Sequence, residues 1–97
     1  MAIVRTSSLE KIVTALEDIG IMGITITNVK GTGEEVSLYR PYAIHSRIEI
    51  IAGDEKADEA VHTIVRHGKT GFAGDEIIGV YPMDYMVKIR TGEKKPE

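Results

Sequence analysis

The 97-residue sequence predicts an α+β domain with the element order β-α-β-β-α-β. Two segments repeat apolar residues at the three- and four-residue spacing of an amphipathic helix. The segments around them are rich in β-branched residues or alternate between apolar and polar, as strands do. A glycine follows each helical pattern, Gly20 and Gly68, and glycine commonly ends a helix. These three observations together define the fold class.

The first half of the chain gives a strand, a helix and a second strand. Ala2–Val4 is a short apolar run that predicts the first strand. The helix is expected to start at Ser7, because Ser7 and Glu10 have the spacing of a capping box. Residues 23–29 then alternate as a half-buried strand. The apolar stripe of the helix comprises Leu9, Ile12, Val13, Leu16 and Ile19.

The second half repeats the pattern after a long connection. Residues 30–46 predict a mobile loop with possible frayed strand extensions, and residues 47–52 predict the third strand. Asp54 is expected to cap a second helix that Gly68 ends. Residues 76–81 and 85–90 predict two short final strands, and residues 94–97 a polar tail outside a domain of residues 1–93. This order is that of the ferredoxin-like fold, an antiparallel sheet with both helices on one face. The second helix has its apolar side at Ala57, Ala60, Val61, Ile64 and Val65.

Composition excludes several classes of function. The net charge of −3 and pI of about 5.6 disfavour sequence-independent binding to nucleic acid. There is no cysteine, so disulfides and thiol chemistry are excluded. No apolar run has the length of a membrane span and residues 1–8 are not a signal peptide, so we expect a cytoplasmic protein. A chain this small is also a candidate for burying more surface by oligomerisation.

Residues 69–93 carry the strongest functional signal. Gly71 and Gly74 bracket a turn that ends in Asp75, and the backbone N–H groups of a glycine turn can converge on an anion. Lys88 and Arg90 occupy alternate positions of the last predicted strand, which would place both cations on one face. Together these features predict a phosphate-binding site, although an exposed strand face would also explain the two cations. No arrangement of catalytic side chains is evident, so we expect no enzyme activity.

Five segments, in order and at matching spacing, resemble the PII signal-transduction proteins. The resemblance implies a homotrimer with adenine-nucleotide sites in the clefts between subunits. It covers nearly the whole chain from Leu9 onward. The matching segments are residues 16–33, Leu38-Tyr39-Arg40, Arg47-Ile48-Glu49-Ile50, Thr70-Gly71 with Gly74-Asp75, and Ile89-Arg90-Thr91-Gly92-Glu93.

The same resemblance implies a role for individual residues. Thr25, Glu49 and Ile51 are expected beside the adenine, and Gly31 and Gly33 at the start of the loop over the ligand (the T-loop). Gly74 and Asp75 are expected around the phosphates. Lys88 and Arg90 are expected to supply cations from the neighbouring subunit.

Three departures from the family pattern change the expected ligand. Glu76 and Ile77 follow Asp75 where the family usually has Gly-Lys, which removes a phosphate-pairing ammonium and adds a carboxylate. Glu34 stands where the family has a basic residue. The loop from Gly33 to Arg47 is about nine residues shorter than the family's T-loop, which is a long functional loop. We therefore expect AMP or ADP to be favoured over ATP, with an unidentified target protein or transporter. In this respect the chain resembles short-loop members associated with carboxysomes, some of which also bind bicarbonate.

Two other functions fit the same fold. One is a sensor of bicarbonate or another anion that uses Arg40, His45 and Arg47, although a solvated loop residue is the favoured interpretation of His45. The other is a structural or metal-responsive trimer like the copper-tolerance family. His62 and His67 are five residues apart on the second helix and therefore lie off a shared face, so we predict no metal site.

Overall fold

The computed structural model describes residues 1–31, 43–71 and 77–95, and it has the predicted order of elements through the second helix. The final hairpin differs from the prediction. The elements are β1 Ala2–Val4, a 3-10 turn Thr6–Ser8, α1 Leu9–Asp18, β2 Thr25–Gly31, β3 Ala43–Glu49, α2 Asp54–Gly68, β4 Met86–Val87 and β5 Lys94–Lys95.

The main sheet has the strand order β1-β3-β2, and both outer strands run antiparallel to β3. β1 and β2 are therefore parallel to each other, and α1 carries the chain from one edge to the other. At the free edge of β1, Ile78 forms an isolated bridge with Ala2, and the Ile3 N–H donates to the Ile77 carbonyl at 2.8 Å. The chain at residues 77–79 thus lies where the fourth strand was predicted, although the described part of 76–81 contains only this bridge.

The core lies between the sheet and the two helices, which pack on one face as predicted. Ala2 is opposite Ile48 and Val4 is opposite Ser46, so these four side chains face the helices together. A Cβ added at Gly68 would stand 3.1 Å from Ile12 Cδ1, which shows how closely the end of α2 approaches α1. The buried apolar residues are Ala2, Val4, Ile12, Leu16, Ile21, Ile48, Ala60 and Ile64.

Gly20 ends α1 as predicted, because it adopts a left-handed conformation with φ of 89°. Its N–H donates to the Glu17 carbonyl at 2.9 Å, and the Ile21 N–H donates to the Leu16 carbonyl at 3.0 Å. These two bonds form a Schellman motif. In this motif an apolar contact commonly accompanies the longer-range bond, which here joins Ile21 to Leu16. Ile21 and Leu16 are both buried in the core, so the local cap and the tertiary packing support each other.

The predicted starts of both helices are wrong by one or two residues. Ser7 lies in the 3-10 turn, and the N-cap of α1 is Ser8, which makes no side-chain capping bond. Ser8 is instead buried against the core. Gly53, not Asp54, is the N-cap of α2. Asp54 and Glu55 occupy its first turn, where their negative charges interact favourably with the helix dipole.

Both strands beside residues 32–42 extend into the predicted loop of residues 30–46, as the strand extensions expected there allow. β2 continues to Gly31 and β3 already begins at Ala43. β3 ends at Glu49, short of the predicted residue 52. The two strands pair from Thr25 opposite Glu49 to Gly31 opposite Ala43, and this long ladder extends both strands beyond the boundaries read from local composition.

The predicted last strand and polar tail form a short hairpin. β4 ends at Val87, and a turn follows in which Gly92 has a left-handed φ of 68°. The Gly92 N–H donates to the Lys88 carbonyl at 2.7 Å, so the chain reverses and Lys94 pairs with Val87. The ammonium of Lys94 also lies 4.1 Å from the centroid of the Tyr85 ring. Lys94–Lys95 is thus a strand, whereas the sequence predicted an unpacked tail.

Candidate functional site

An open groove of about 710 Å³ lies beside the carboxyl end of β3. One wall is made by residues 47–52 and the first turns of α2, and the other by residues 78–83. The start of β2 closes one side through Gly23 and Thr25. This volume falls in the range of about 300–1,000 Å³ that is typical of small-molecule sites.

The three residues predicted to lie beside adenine all line this groove. Thr25 and Glu49 are directly opposite each other in the β2–β3 ladder, so their side chains share one face of the sheet. Ile51 follows two residues after Glu49 and is exposed in the same groove. The structure therefore brings together three side chains that are up to 26 positions apart in sequence.

Arg47 also lines the groove, where it forms an ion pair with Glu49. Arg47 Nη2 lies 2.8 Å and Nε lies 3.2 Å from Glu49 Oε1. The side chains are 42% and 47% exposed, so the pair itself contributes only about 0.2–1 kcal/mol to stability. Sequence reasoning assigned these residues to different sites. Their spacing of two on a strand, which places both on one face, is the signal that could have joined them.

His45 lies in β3 and is only 4% exposed. The alternative that it is a solvated loop residue is therefore wrong. It shares a strand face with Arg47, because the two are separated by one residue. Its neighbour Ser46 is fully buried on the opposite face, where its hydroxyl lies 3.0 Å from the Thr6 hydroxyl. Arg40, the third member of the predicted anion site, lies outside the described residues.

Three of the predicted site residues lie outside the described residues, namely Gly33 at the predicted start of the T-loop, and Gly74 and Asp75, which were predicted around the phosphates. Gly31 is described, at the far end of β2. It is six residues from Thr25, a distance of roughly 20 Å along the strand. Gly71, at the start of the predicted glycine turn, has a left-handed φ of 85° that side chains other than glycine rarely adopt.

Lys88 and Arg90 do not lie on a strand face together. The strand ends at Val87, and residues 89–91 form a turn, so the period-two argument for a shared face is wrong. Both side chains are exposed, and neither forms an ion pair with the described parts of the chain. Their role as phosphate-binding cations stays a prediction, with a turn as its structural setting.

The wall formed by residues 78–83 was missed by sequence reasoning, which assigned it only to a strand and a corner. Val80, Tyr81 and Met83 are exposed apolar residues that line the groove. A Cβ built on Gly79 would lie 2.8 Å from the Tyr81 hydroxyl oxygen, so the Tyr81 side chain folds back against Gly79. The signal available in the sequence was Pro82, which interrupts the strand and leaves its apolar neighbours without a partner strand.

Metal binding finds no support in the described ranges. They contain no group of three or more His, Asp or Glu side chains that could hold an ion. His62 is exposed, while His67 Nδ1 lies 2.9 Å from the Thr63 carbonyl oxygen within α2. Among residues 1–31, 43–71 and 77–95, no helix is long and apolar enough to cross a membrane.

A ferredoxin-like domain with a ligand-sized groove fits many functions, and comparison with known proteins identifies the family. The profile of "Nitrogen regulatory protein P-II" matches residues 1–93. The chain belongs to this P-II family. Members of the family are regulatory proteins, not enzymes, and they form trimers that bind small effectors and target proteins.

Individual relatives are similar over nearly their whole length. The chain is 42% identical to a Nitrogen regulatory protein P-II of Rhizobium etli, with 100% of this chain and 95% of the relative covered. It is 39% identical to Nitrogen regulatory protein P-II 2 of Methanothermobacter thermautotrophicus, with coverages of 96% and 89%. The crystal structure of Arabidopsis thaliana PII bound to citrate matches with a TM-score of 0.83 and 32% identity, and the match covers 96% of this chain and 82% of that one.

Proposed function

We propose that this protein is a cytoplasmic P-II-family regulator that binds adenine nucleotides in clefts between its subunits, with AMP or ADP favoured over ATP. The observation that carries the proposal is that Thr25, Glu49 and Ile51, the residues expected beside adenine, all line one groove of about 710 Å³. The site offers an apolar side chain for the base and polar groups for specificity, which is the usual composition of a small-molecule site.

The location between subunits is supported by the wall of the groove. Val80, Tyr81 and Met83 are apolar and exposed in the single chain. An exposed apolar patch that is rimmed by polar residues commonly marks a site of association or ligand binding. A neighbouring subunit of the trimer would cover this wall and enclose the groove, and a ligand in the groove would then contact two chains.

The preference for AMP or ADP rests on the residues after Asp75. In place of the family's usual Gly-Lys pair this chain has Glu76 and Ile77. Ile77 is exposed, and its carbonyl accepts the N–H of Ile3 at the sheet edge, so this position is fixed beside β1. A third phosphate group would lack one cation here and approach a carboxylate, which is unfavourable at close range.

Signalling is proposed to occur through a shortened T-loop. The Rhizobium etli relative aligns over 106 positions with the 97 residues of this chain, so nine positions of that alignment have no residue here. A T-loop about nine residues shorter than the family's, as expected from the sequence, would account for these positions. Binding of ligand would shift the loop toward the state that makes more contacts with it, and the loop would engage or release an unidentified target protein or transporter.

Bicarbonate is proposed as a second ligand. His45 and Arg47 lie on one strand face, which supports a small anion site, although Arg47 is already paired with Glu49. The Arabidopsis relative was crystallised with citrate, which is a small carboxylate anion. A sensor of such anions without any nucleotide is the alternative function for the same surface.

Isothermal titration calorimetry with AMP, ADP, ATP and bicarbonate separates these functions. We expect AMP or ADP to bind more tightly than ATP. Binding of bicarbonate alone would support the anion sensor and refute the nucleotide proposal. Light scattering on the same samples should give a trimer, and a stable monomer at micromolar concentration would contradict the site between subunits.

A pair of matched variants tests whether the groove is the site. Ile51 in the groove and Ile44 outside it are similarly exposed, at 59% and 54%. Ile51→Ala should weaken nucleotide binding by about three- to thirtyfold through loss of apolar contact with the base. Ile44→Ala should leave the affinity unchanged. Equal effects of both variants would mean that nucleotide does not occupy this groove.

A further inference from the structure

The carboxylate of Glu49 is held from one side only. Arg47 Nη2 and Nε both donate to the same oxygen, Oε1, at 2.8 and 3.2 Å. Within the described residues, Oε2 accepts no hydrogen bond. Both side chains line the groove and are about half exposed, so the second oxygen belongs to a carboxylate that a bound molecule can reach.

We propose that Arg47 is a positioning residue that fixes Glu49 as the acceptor for one hydrogen-bond donor of the ligand. The inference rests on the proposed function, because it concerns how that groove selects its nucleotide. A glutamate side chain that is free in solution loses considerable rotamer entropy when it binds a ligand. The guanidinium of Arg47 meets part of that cost in advance, since its two N–H groups hold Oε1 and thereby limit the rotamers of the Glu49 side chain.

Arg47 also removes an electrostatic obstacle. An unpaired carboxylate in the groove would repel the phosphate groups of a nucleotide, whereas the Arg47–Glu49 pair has no net charge. Thr25 lies directly opposite Glu49 in the ladder and adds a hydroxyl to the same face. The polar part of the groove therefore consists of an oriented acceptor and a neighbouring hydroxyl, beside the apolar side chain of Ile51.

An ionised carboxylate can only accept hydrogen bonds, so the ligand group that meets Oε2 must be a donor. Three groups of an adenine nucleotide qualify, namely the exocyclic amine of the base and the 2′- and 3′-hydroxyls of the ribose. Inosine diphosphate (IDP) replaces the amine by a carbonyl oxygen, and 2′-deoxy-ADP and 3′-deoxy-ADP each lack one hydroxyl. A site that is built to bond a donor rejects the analogue that lacks it.

Calorimetry on the full-length protein with ADP, IDP, 2′-deoxy-ADP and 3′-deoxy-ADP tests the inference. We expect the wild type to bind ADP about tenfold or more tightly than at least one of the three analogues, and the weakest analogue identifies the donor. In Arg47→Gln that ratio should fall several-fold. Arg47→Lys keeps the charge without the fork and should give an intermediate ratio. In Glu49→Gln the amide can both donate and accept, so discrimination against IDP in particular should disappear if the amine is the donor.

Arg66→Gln is the matched control, because Arg66 is an exposed arginine on α2 outside the groove. It should keep the wild-type ratio, and circular dichroism and light scattering should show that every variant is folded and assembled. An unchanged ratio in both Arg47 variants, or a wild type that binds all four nucleotides equally, would overturn the inference and leave the proposed function standing. A wild type that binds no adenine nucleotide would overturn both.

Discussion

Gly20→Ala tests the link between the local cap of α1 and the stability of the whole domain. Gly20 has a φ of 89°, a left-handed conformation that costs little for glycine but is strained for alanine. Two hydrogen bonds depend on this conformation, from the Gly20 N–H to Glu17 and from the Ile21 N–H to Leu16. Alanine must either accept the strain or open the motif and shift Ile21, which is buried.

The size of the effect follows from the surroundings of Gly20. A Cβ added there would meet only Lys56 Nζ, at 3.7 Å, so there is no steric clash. The remaining cost is backbone strain of roughly 1–2 kcal/mol. The usual gain from replacing glycine by alanine, about 0.4–1 kcal/mol, applies only where the native conformation suits alanine. We therefore expect the free energy of unfolding to fall by about 1–2 kcal/mol, which raises the unfolded fraction about 5- to 30-fold.

Urea denaturation followed by circular dichroism measures this change, at one fixed protein concentration because subunit association contributes to stability. Gly31→Ala is the matched control. Gly31 does not have a left-handed φ, and a Cβ there would meet no atom within 4 Å. That variant should lie within about 0.5 kcal/mol of the wild type. Equal stability of Gly20→Ala and the wild type would refute the strain argument.

Three further substitutions address the core and the proposed ligand. Ile12→Ala removes a fully buried side chain that contacts the end of α2. It should lower the free energy of unfolding by about 2–5 kcal/mol in the same urea experiment, and a loss below about 1 kcal/mol would contradict this packing. Ile77→Lys should strengthen ATP binding in calorimetry by restoring a cation, and no gain would show that the terminal phosphate does not lie there. Arg90→Ala should weaken ADP binding about ten- to a hundredfold, and Arg90→Lys should recover part of the loss. If the affinity of Arg90→Ala is unchanged but the trimer is lost, Arg90 is an interface residue.

The helices and their packing could be predicted because their signals are local. The spacing of Ile12 and Leu16 already marks the buried side of α1, and Gly20 marks its end. The strand boundaries could not be predicted in this way. Whether Gly31 and Ala43 belong to strands depends on their pairing with each other, and no local pattern encodes a partner that is distant in sequence.

The C-terminal hairpin was not predicted, because its strands are also defined by pairing between backbone segments. The charged run at Lys94–Lys95 has the composition of a solvated tail, but a strand is held by its backbone, which pairs whatever the side chains are. The sequence does contain the turn that enables this pairing, since Gly92 takes a left-handed φ. Because the turn uses residues 89–91, it also removes the strand on which Lys88 and Arg90 were expected to share a face.

The candidate site also combines features that could be inferred from the sequence with features that only the structure shows. The positions of Thr25, Glu49 and Ile51 came from the family resemblance, and the β2–β3 register explains why the first two meet. The Arg47–Glu49 pair could have been inferred from strand periodicity alone. For the wall at residues 78–83, the sequence marks only the interruption at Pro82, and the fold is needed to show that this segment faces the groove.

This arrangement divides the groove into two parts with different consequences for mutation. The apolar wall, at Val80, Tyr81 and Met83, is exposed in one chain and would be covered both by a ligand and by a neighbouring subunit. A substitution there changes ligand contact and assembly together, so a loss of binding has two explanations. The polar part, at Arg47 and Glu49, contributes little to stability because the pair is half exposed. Changes in ligand selectivity can therefore be assigned most cleanly at this ion pair, where a substitution is expected to cost the single chain little stability.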